Sequence, residues 1–366
     1  MTRTRDIGRQ RLAAQALCAR TATTPAALVT QLGAMQAQDY HACHWAVGMR
    51  MAGDDVTVAD VERALADGAL LRTHAMRGTW QLMTPADAAW ILPLVAPNVL
   101  ARSATRHRQL GLDDAILQRG GEAMARALER VDWLDRAGLR DALAADGIDA
   151  TGERLAHILG AAELAGVVCS AGGHGATSRT MLLARRLPKR VRRLARAEAA
   201  AQLAQRYFES RGPATLDDFV WWSGLPVAEA RAALEAVRGE LVAHEDAGGR
   251  TRWHRRGLAP AARAPRALLV PAFDEFLVAY RKRDEVLDPA DVVKVNAGGG
   301  LLNPVVVLDG YVVGAWKRTL GRTDVTVNVR IFRRLASADE SAIKRAAARY
   351  AAFLGRPLEL DVRLRA

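Results

Sequence analysis

Hydrophobic positions recur at helical spacing from Leu134 to Ala145 and again from Thr151, read as a cap, to about Ala165; VVCSAGGHGATSRTMLLARR then alternates around a glycine-rich turn. This predicts helix, helix and hairpin, the order of a winged helix. The order returns in TLDDFVWWSGL, in PVAEARAALEAVRGE with its proline start, and in LVAHEDAGGRTRWHRR with a Gly-Gly turn. A less regular copy precedes both: Val58 to Asp67 reads as a short helix, LLRTHAMRGTWQLMT as a strand pair, and Thr84 with Pro85 as the start of a helix. The irregular period predicts tandem modules and not a solenoid.

After Pro265 the pattern turns to β-branched runs in ALLVPAF, NPVVVLDGYVVGAWKR and VTVNVRIF, with Asp309-Gly310 as a hairpin turn. An amphipathic helix is expected from about Ser341 to Leu354, and LELDVRL as a closing strand. The predicted class is α+β: three tandem winged-helix (helix-turn-helix) modules at 1–105, 106–196 and 197–264, then a β-rich region at 265–366.

Composition narrows the partners. Of 366 residues 50% are hydrophobic and 25% charged, so nearly all should fold. The net charge of +12 and pI near 10.4 attract a polyanion, either nucleic acid or an anionic membrane face. A GC-rich genome alone raises the Arg count, so the placement of the arginines matters more than their number. No long apolar run exists and MTRTRDIGRQ lacks a secretory core, which predicts a cytosolic, nucleoid-associated protein with no membrane partner. Cys18, Cys43 and Cys169 are too scattered for disulfides or zinc, and His41, Cys43 and His44 lack a second ligand cluster, so no metal and no cofactor is expected.

Winged helices hold phosphates with their wings and helix ends while the second helix enters the major groove. Arg185, Arg186, Lys189, Arg190, Arg192, Arg193 and Arg196 form a basic run between two modules, either a phosphate-contacting surface or a solvated linker. Arg252, His254, Arg255 and Arg256 on the last wing carry the same two readings. Arg77 in RGTW is placed to reach a phosphate, with Trp80 in the core. Trp221 and Trp222 are helix neighbours, of which a module interface buries one and base stacking is the lesser use of the other. The loop from Asn296 to Asn303 either enters a groove beside a lesion or is a plain hairpin tip. Asp274 and Glu275, read on a strand, point to opposite faces, and pairing with Arg281, Lys282 or Arg283 is expected rather than paired-carboxylate chemistry.

Two glutamines at i and i+2 in QLGAMQAQDYHACHWAVGMR are bland by spacing, since they share a face only on an extended or irregular backbone. With LRTHAMRGTWQLMTPADAAWIL, YFESRGPATLDDFVWWSGL, PAFDEFLVAYRKR and LDGYVVGAWKR in the same order, however, the chain resembles the AlkZ-like winged-helix DNA glycosylases nearly end to end. The resemblance implies that Gln36 and Gln38 match a catalytic Gln-x-Gln/Asp motif, and that the three modules curve around the duplex. It further implies removal of bulky or crosslinked N7-alkylguanine from double-stranded DNA. The glutamines are expected at a helix end or kink; Asp39 is either a rival for water activation or, preferred, a helix cap or an arginine partner.

The chemistry is consistent with that motif. Alkylation at N7 makes the purine cationic, so it departs neutral without a general acid. What remains is to place a water and stabilise a developing oxocarbenium, which amide oxygens can do as acceptors and dipoles. The enzyme is expected to be a monomer and monofunctional, since no lysine is placed as an amine nucleophile. The alternative is a non-catalytic winged-helix transcriptional regulator, against which the lack of a dimerising coiled coil counts. Membrane-surface or RNA binding has no supporting signature in the chain.

Overall fold

A computed structural model of the chain describes residues 4–173, 175–191, 193–245, 249–258, 265–298 and 301–364. It opens with helices α1 (Thr4–Ala14) and α2 (Pro25–Leu32), a two-residue strand β1 (Met35–Gln36), and helices α3 (Tyr40–Gly48) and α4 (Val58–Ala66). Strands β2 (Leu71–His74) and β3 (Trp80–Met83) form the expected hairpin before α5 (Pro85–Gln109). Thr84 caps α5 by accepting from the Asp87 amide, and Pro85 stands at the first turn, where a missing N–H is harmless. The helix continues past residue 105 despite Pro93 and Pro97, so this segment meets the next through a shared helix.

Next come α6 (Asp114–Glu129), α7 (Arg136–Ala145), α8 (Arg154–Leu164), β4 (Val168–Ser170) and β5 (Thr180–Leu182), then α9 (Arg196–Arg211), α10 (Leu216–Ser223), α11 (Val227–Val237), β6 (Leu241–Glu245) and β7 (Thr251–Arg255). Thr151 is not the cap of α8. Its amide donates to the Asp149 side chain in a turn, and the helix starts after Glu153. The hairpins are not three separate wings: β1, β3, β2, β4 and β5 form one five-stranded sheet in that order, joined between β2 and β4 by the pair Arg72 and Ser170. Only β6 and β7 stand apart, tied to the start of α10 by backbone bonds between Ala214 and Trp253.

The last region holds β8 (Ala267–Val270), α12 (Glu275–Val278), α13 (Val292–Val295), β9 (Asn296–Gly298), β10 (Leu301–Leu302), β11 (Val305–Leu308), β12 (Tyr311–Leu320), β13 (Val325–Ile331), α14 (Ser337–Leu354) and β14 (Leu358–Leu364). Its five-stranded sheet runs β14-β13-β12-β11-β8, with β14 parallel to β13 because α14 supplies the crossover. Asp309 and Gly310 both have positive φ, 52° and 81°, the signature of the tight hairpin turn expected there.

The N-terminal helices and the C-terminal sheet share a core. Trp45 on α3 donates its indole N–H to the Leu269 carbonyl at 2.7 Å and packs edge-on to Tyr350 of α14. Gly48 meets the Phe353 ring so closely that a Cβ would overlap it. A second cluster joins α5, α9, α10 and α11. Between the two regions lies a buried ion pair. Arg50 holds both oxygens of Asp274 at 2.7 Å and spends its other donors on Ala46 O, Gln15 O and Gln15 Oε1. Both side chains are fully buried. Among the described residues no helix is long and apolar enough to cross a membrane.

Two outcomes follow. Arg50→Met leaves Asp274 buried and unpaired, and should lower stability by about 3–5 kcal/mol in urea titration; a loss under 1 kcal/mol would show that the pair is dispensable. His44, buried on α3 with neither ring nitrogen hydrogen-bonded among the described residues, has its pKa lowered to about 4 by burial. The unfolded chain therefore takes up this proton near pH 6.5 and the folded chain does not, so the contribution of His44 is intact above pH 6.5 and declines towards pH 4. Comparison with His44→Leu should show the wild type losing on the order of 3 kcal/mol more across that window.

Candidate active site

The tripeptide Gln36-Ala37-Gln38 runs from the end of β1 through a bend at Gln38 to the residue before the N-cap of α3. Asp39 is the N-cap of α3, accepting from the Ala42 amide at 2.8 Å, so its side chain has a structural use. Each step of the tripeptide is pinned. The Gln36 amide N–H donates to Glu275 Oε1 at 2.8 Å, and Gln36 Oε1 accepts from Arg77 Nη2 at 2.7 Å. Ala37 donates its N–H to Trp80 O at 2.7 Å and accepts at its carbonyl from Arg72 Nε at 3.1 Å. Gln38 Oε1 accepts from the Trp80 amide at 3.3 Å. Gln36 is 8% exposed, whereas Gln38 lies open to solvent.

The supports are themselves held. Glu275, buried at the first position of α12, turns its second oxygen to Arg211 Nε at 2.7 Å and to the Trp222 indole N–H at 3.0 Å. Arg211 is fully buried and donates onward to the carbonyls of Leu32 and Ala34, on either side of the turn that leads into β1. This corrects the expected partners: Asp274 and Glu275 start a short helix, not a strand, and pair with Arg50 and Arg211 instead of Arg281, Lys282 or Arg283. The reason is access. Arg50 and Arg211 are interior side chains that need a counter-charge, whereas Arg281 and Lys282 are exposed.

Arg77 adopts a left-handed backbone, φ 59°, which costs a non-glycine residue about 1–2 kcal/mol. Its guanidinium is aimed at the C-terminal end of α10, where it donates to Trp222 O at 3.0 Å and Trp221 O at 3.2 Å while holding Gln36. The negative end of a helix favours a cation there. Burial, with no carboxylate in hydrogen-bond reach among the described residues, lowers its pKa. Trp80, expected in the core, is half-buried between Arg72, 3.9 Å from the ring centre, and the His74 ring at 4.1 Å. His74 is bonded in turn through its ring and its amide to the buried Glu163.

The remaining candidates divide by exposure. Arg252, expected on the duplex face, is 1% exposed and paired with Glu285 at 2.6 Å, so its charge is used inside the fold. Arg185 donates to Leu128 O in the last turn of α6 and to Val131 O after it, and Arg186 lies half-buried with its Nε on Met181 Sδ. Lys189, Arg190 and Arg193 are exposed on the connection from β5 to α9; Arg192 lies outside the described residues. Arg255 is exposed at the end of β7. Asn303, half-buried, closes the β9–β10 hairpin by donating its N–H to Val295 O at 2.8 Å. The structure thus brings Gln36, Gln38 and Arg77 together, and adds Arg72, Arg211, Trp222 and Glu275, whose roles no local pattern signals. Among the described residues no group of three or more His, Cys, Asp or Glu side chains could hold a metal ion.

Comparison with known proteins agrees with this architecture. The family model described as "DNA glycosylase AlkZ-like" matches residues 29–353. An "Interstrand DNA cross-link repair glycosylase" from Streptomyces sahachiroi is 29% identical over 327 residues, covering 86% of this chain and 87% of the relative. The solved structure of the Streptomyces sahachiroi DNA glycosylase AlkZ is similar over 100% of both chains, with a TM-score of 0.81 and 28% identity. The chain belongs to the AlkZ-like DNA glycosylase family.

Proposed function

We propose that this DNA glycosylase hydrolyses the N-glycosidic bond of N7-alkylguanine in duplex DNA, crosslinks and bulky adducts included, with water as the nucleophile and Gln36 and Gln38 as the catalytic residues. The observation that carries the reading is the pinned tripeptide. A site that holds Gln36 by its backbone and side chain, and Gln38 by its side-chain oxygen, meets the need of a reaction in which positioning and dipoles supply the acceleration. In the proposed reaction the C1′–N9 electron pair goes to the purine and neutralises its charge. Water adds to C1′, and its proton passes to solvent. Neither amide is a strong base, so an uncharged purine is a poor substrate.

The helix, helix, hairpin sets α7, α8, β4–β5 and α10, α11, β6–β7 are read as winged-helix units, with α4, β2 and β3 as a third, on a monomeric protein that follows the duplex. The exposed Lys189, Arg190 and Arg193 supply part of its phosphate contact.

The assay is release of 7-methylguanine from methylated duplex by purified protein. Gln36→Ala and Gln38→Ala should each slow release at least about tenfold, the loss of about 1.4 kcal/mol of transition-state stabilisation. Wild-type release no faster than spontaneous depurination on several alkylated substrates rejects the reading. Reversing both charges at Lys189 and Arg190 to Glu should weaken binding to damaged and undamaged duplex alike and reduce the slope of log affinity against log salt by about two. Unchanged binding at low salt makes that run a solvated linker.

A further inference from the structure

The ring of Trp221 is 43% exposed while that of its neighbour Trp222 is buried. It is not loose: its indole N–H donates to Val278 O at 3.0 Å, which fixes the plane. Two hollows flank it. One, about 490 Å³, has Trp221, Leu287 and Leu302 among its apolar lining and Arg281, Lys282 and Arg283 among its cations. The other, about 530 Å³, is lined by Arg77, Arg102, Val220 and Arg281. Arg77, which lines the second hollow, also bonds Gln36 Oε1, so its guanidinium links that hollow to the proposed catalytic residue.

The charges around Trp221 are poorly neutralised. Among the described residues Arg77, Arg102 and Arg283 have no ion-pair partner: Arg77 and Arg102 donate to the C-terminal carbonyls of α10, and Arg283 donates its Nε to Leu277 O. Burial lowers the pKa of Arg77 and of Arg283, and at Arg77 the charges of Arg283 and Arg102 add to that lowering while Glu275 opposes it. The acids nearby are Asp217, which lines the second hollow and pairs with Arg281 at 3.0 Å, Asp284, which lines the first and lies 3.9 Å from Arg250, and the buried Glu275, which pairs with Arg211 and also acts on Arg77. Partly desolvated like charges with no counter-ion are costly to a fold and are relieved by an anion. A planar apolar plate beside them favours a ligand that joins an anion to an aromatic group, as a nucleotide does.

We infer that the hollows beside Trp221 form the lesion-nucleotide pocket. Trp221 stacks an aromatic substituent carried on guanine N7, and Arg283 with Arg102 holds the flanking phosphodiester. The first hollow falls in the size range that encloses drug-sized molecules, roughly 300–1,000 Å³, more than a methyl group requires. Trp221 is therefore a specificity-determining residue for bulky aromatic adducts. This rests on the glycosylase reading above.

The test compares single-turnover release of 7-methylguanine and of N7-(naphthylmethyl)guanine from otherwise identical duplexes. Trp221→Ala should slow the aromatic adduct about tenfold more than the methyl adduct, in keeping with one lost stacking contact. Trp221→Phe should recover most of the difference, and Trp133→Ala, at a Trp with the same 43% exposure elsewhere on the surface, should leave both rates alone. Arg283→Gln should lower the salt slope of duplex binding by about one. An equal loss on both substrates, no loss at all, or an unchanged slope overturns the pocket. If the wild type releases neither base, the glycosylase reading falls by itself. Affinity for the naphthylmethyl duplex then decides: about tenfold weaker binding by Trp221→Ala supports the pocket, and equal binding overturns it.

Discussion

The site depends on one buried carboxylate. Glu275 is removed from water, and a carboxylate there is tolerable only with a cation and donors for its lone pairs. Arg211 supplies the cation, and the Trp222 indole and the Gln36 amide supply further donors. The geometry that satisfies the charge is therefore the geometry that fixes the backbone of Gln36. Arg211 extends the same lock by holding Leu32 O and Ala34 O, the stretch from which β1 emerges. Loss of the carboxylate leaves Arg211 uncompensated and the Gln36 amide N–H without its acceptor in one step.

Arg77 repeats this logic on the side chain. A residue in left-handed conformation is retained where its surroundings over-determine it. Three acceptors from two distant segments do so here. The amide of Gln36 is thus held at its oxygen by a fixed cation, whereas Gln38 is exposed and accepts one longer bond. The two glutamines stand in unlike environments: one is part of the frame, the other faces the solvent.

Most elements were legible because their signals are local. Thr84-Pro85 opens a helix and Asp309-Gly310 closes a hairpin whatever lies elsewhere in the chain. The helix–helix–hairpin order was read correctly in two stretches, though the merging of β2 with β4 was not, since one pair of residues, Arg72 and Ser170, joins them. The partners of Asp274 and Glu275 were misread for a related reason: arginines nearby in sequence were favoured over Arg50 and Arg211, which tertiary packing brings in. Arg252 stands on β7 of the last hairpin, but alternation of faces turns it towards Glu285. Gln36 and Gln38 were singled out by order and context alone; their spacing carries almost no information.

Glu275 follows Gln36 by 239 residues. A ribosome releases the N-terminal helices and β1 long before it has made the residue that holds the Gln36 amide. Until that late segment docks, Gln36 lacks its backbone anchor, so the growing chain carries the glutamine pair without its frame. The order of synthesis thereby delays the assembled site, and a fragment that ends before α12 lacks the partner that fixes Gln36 even where its own helices fold.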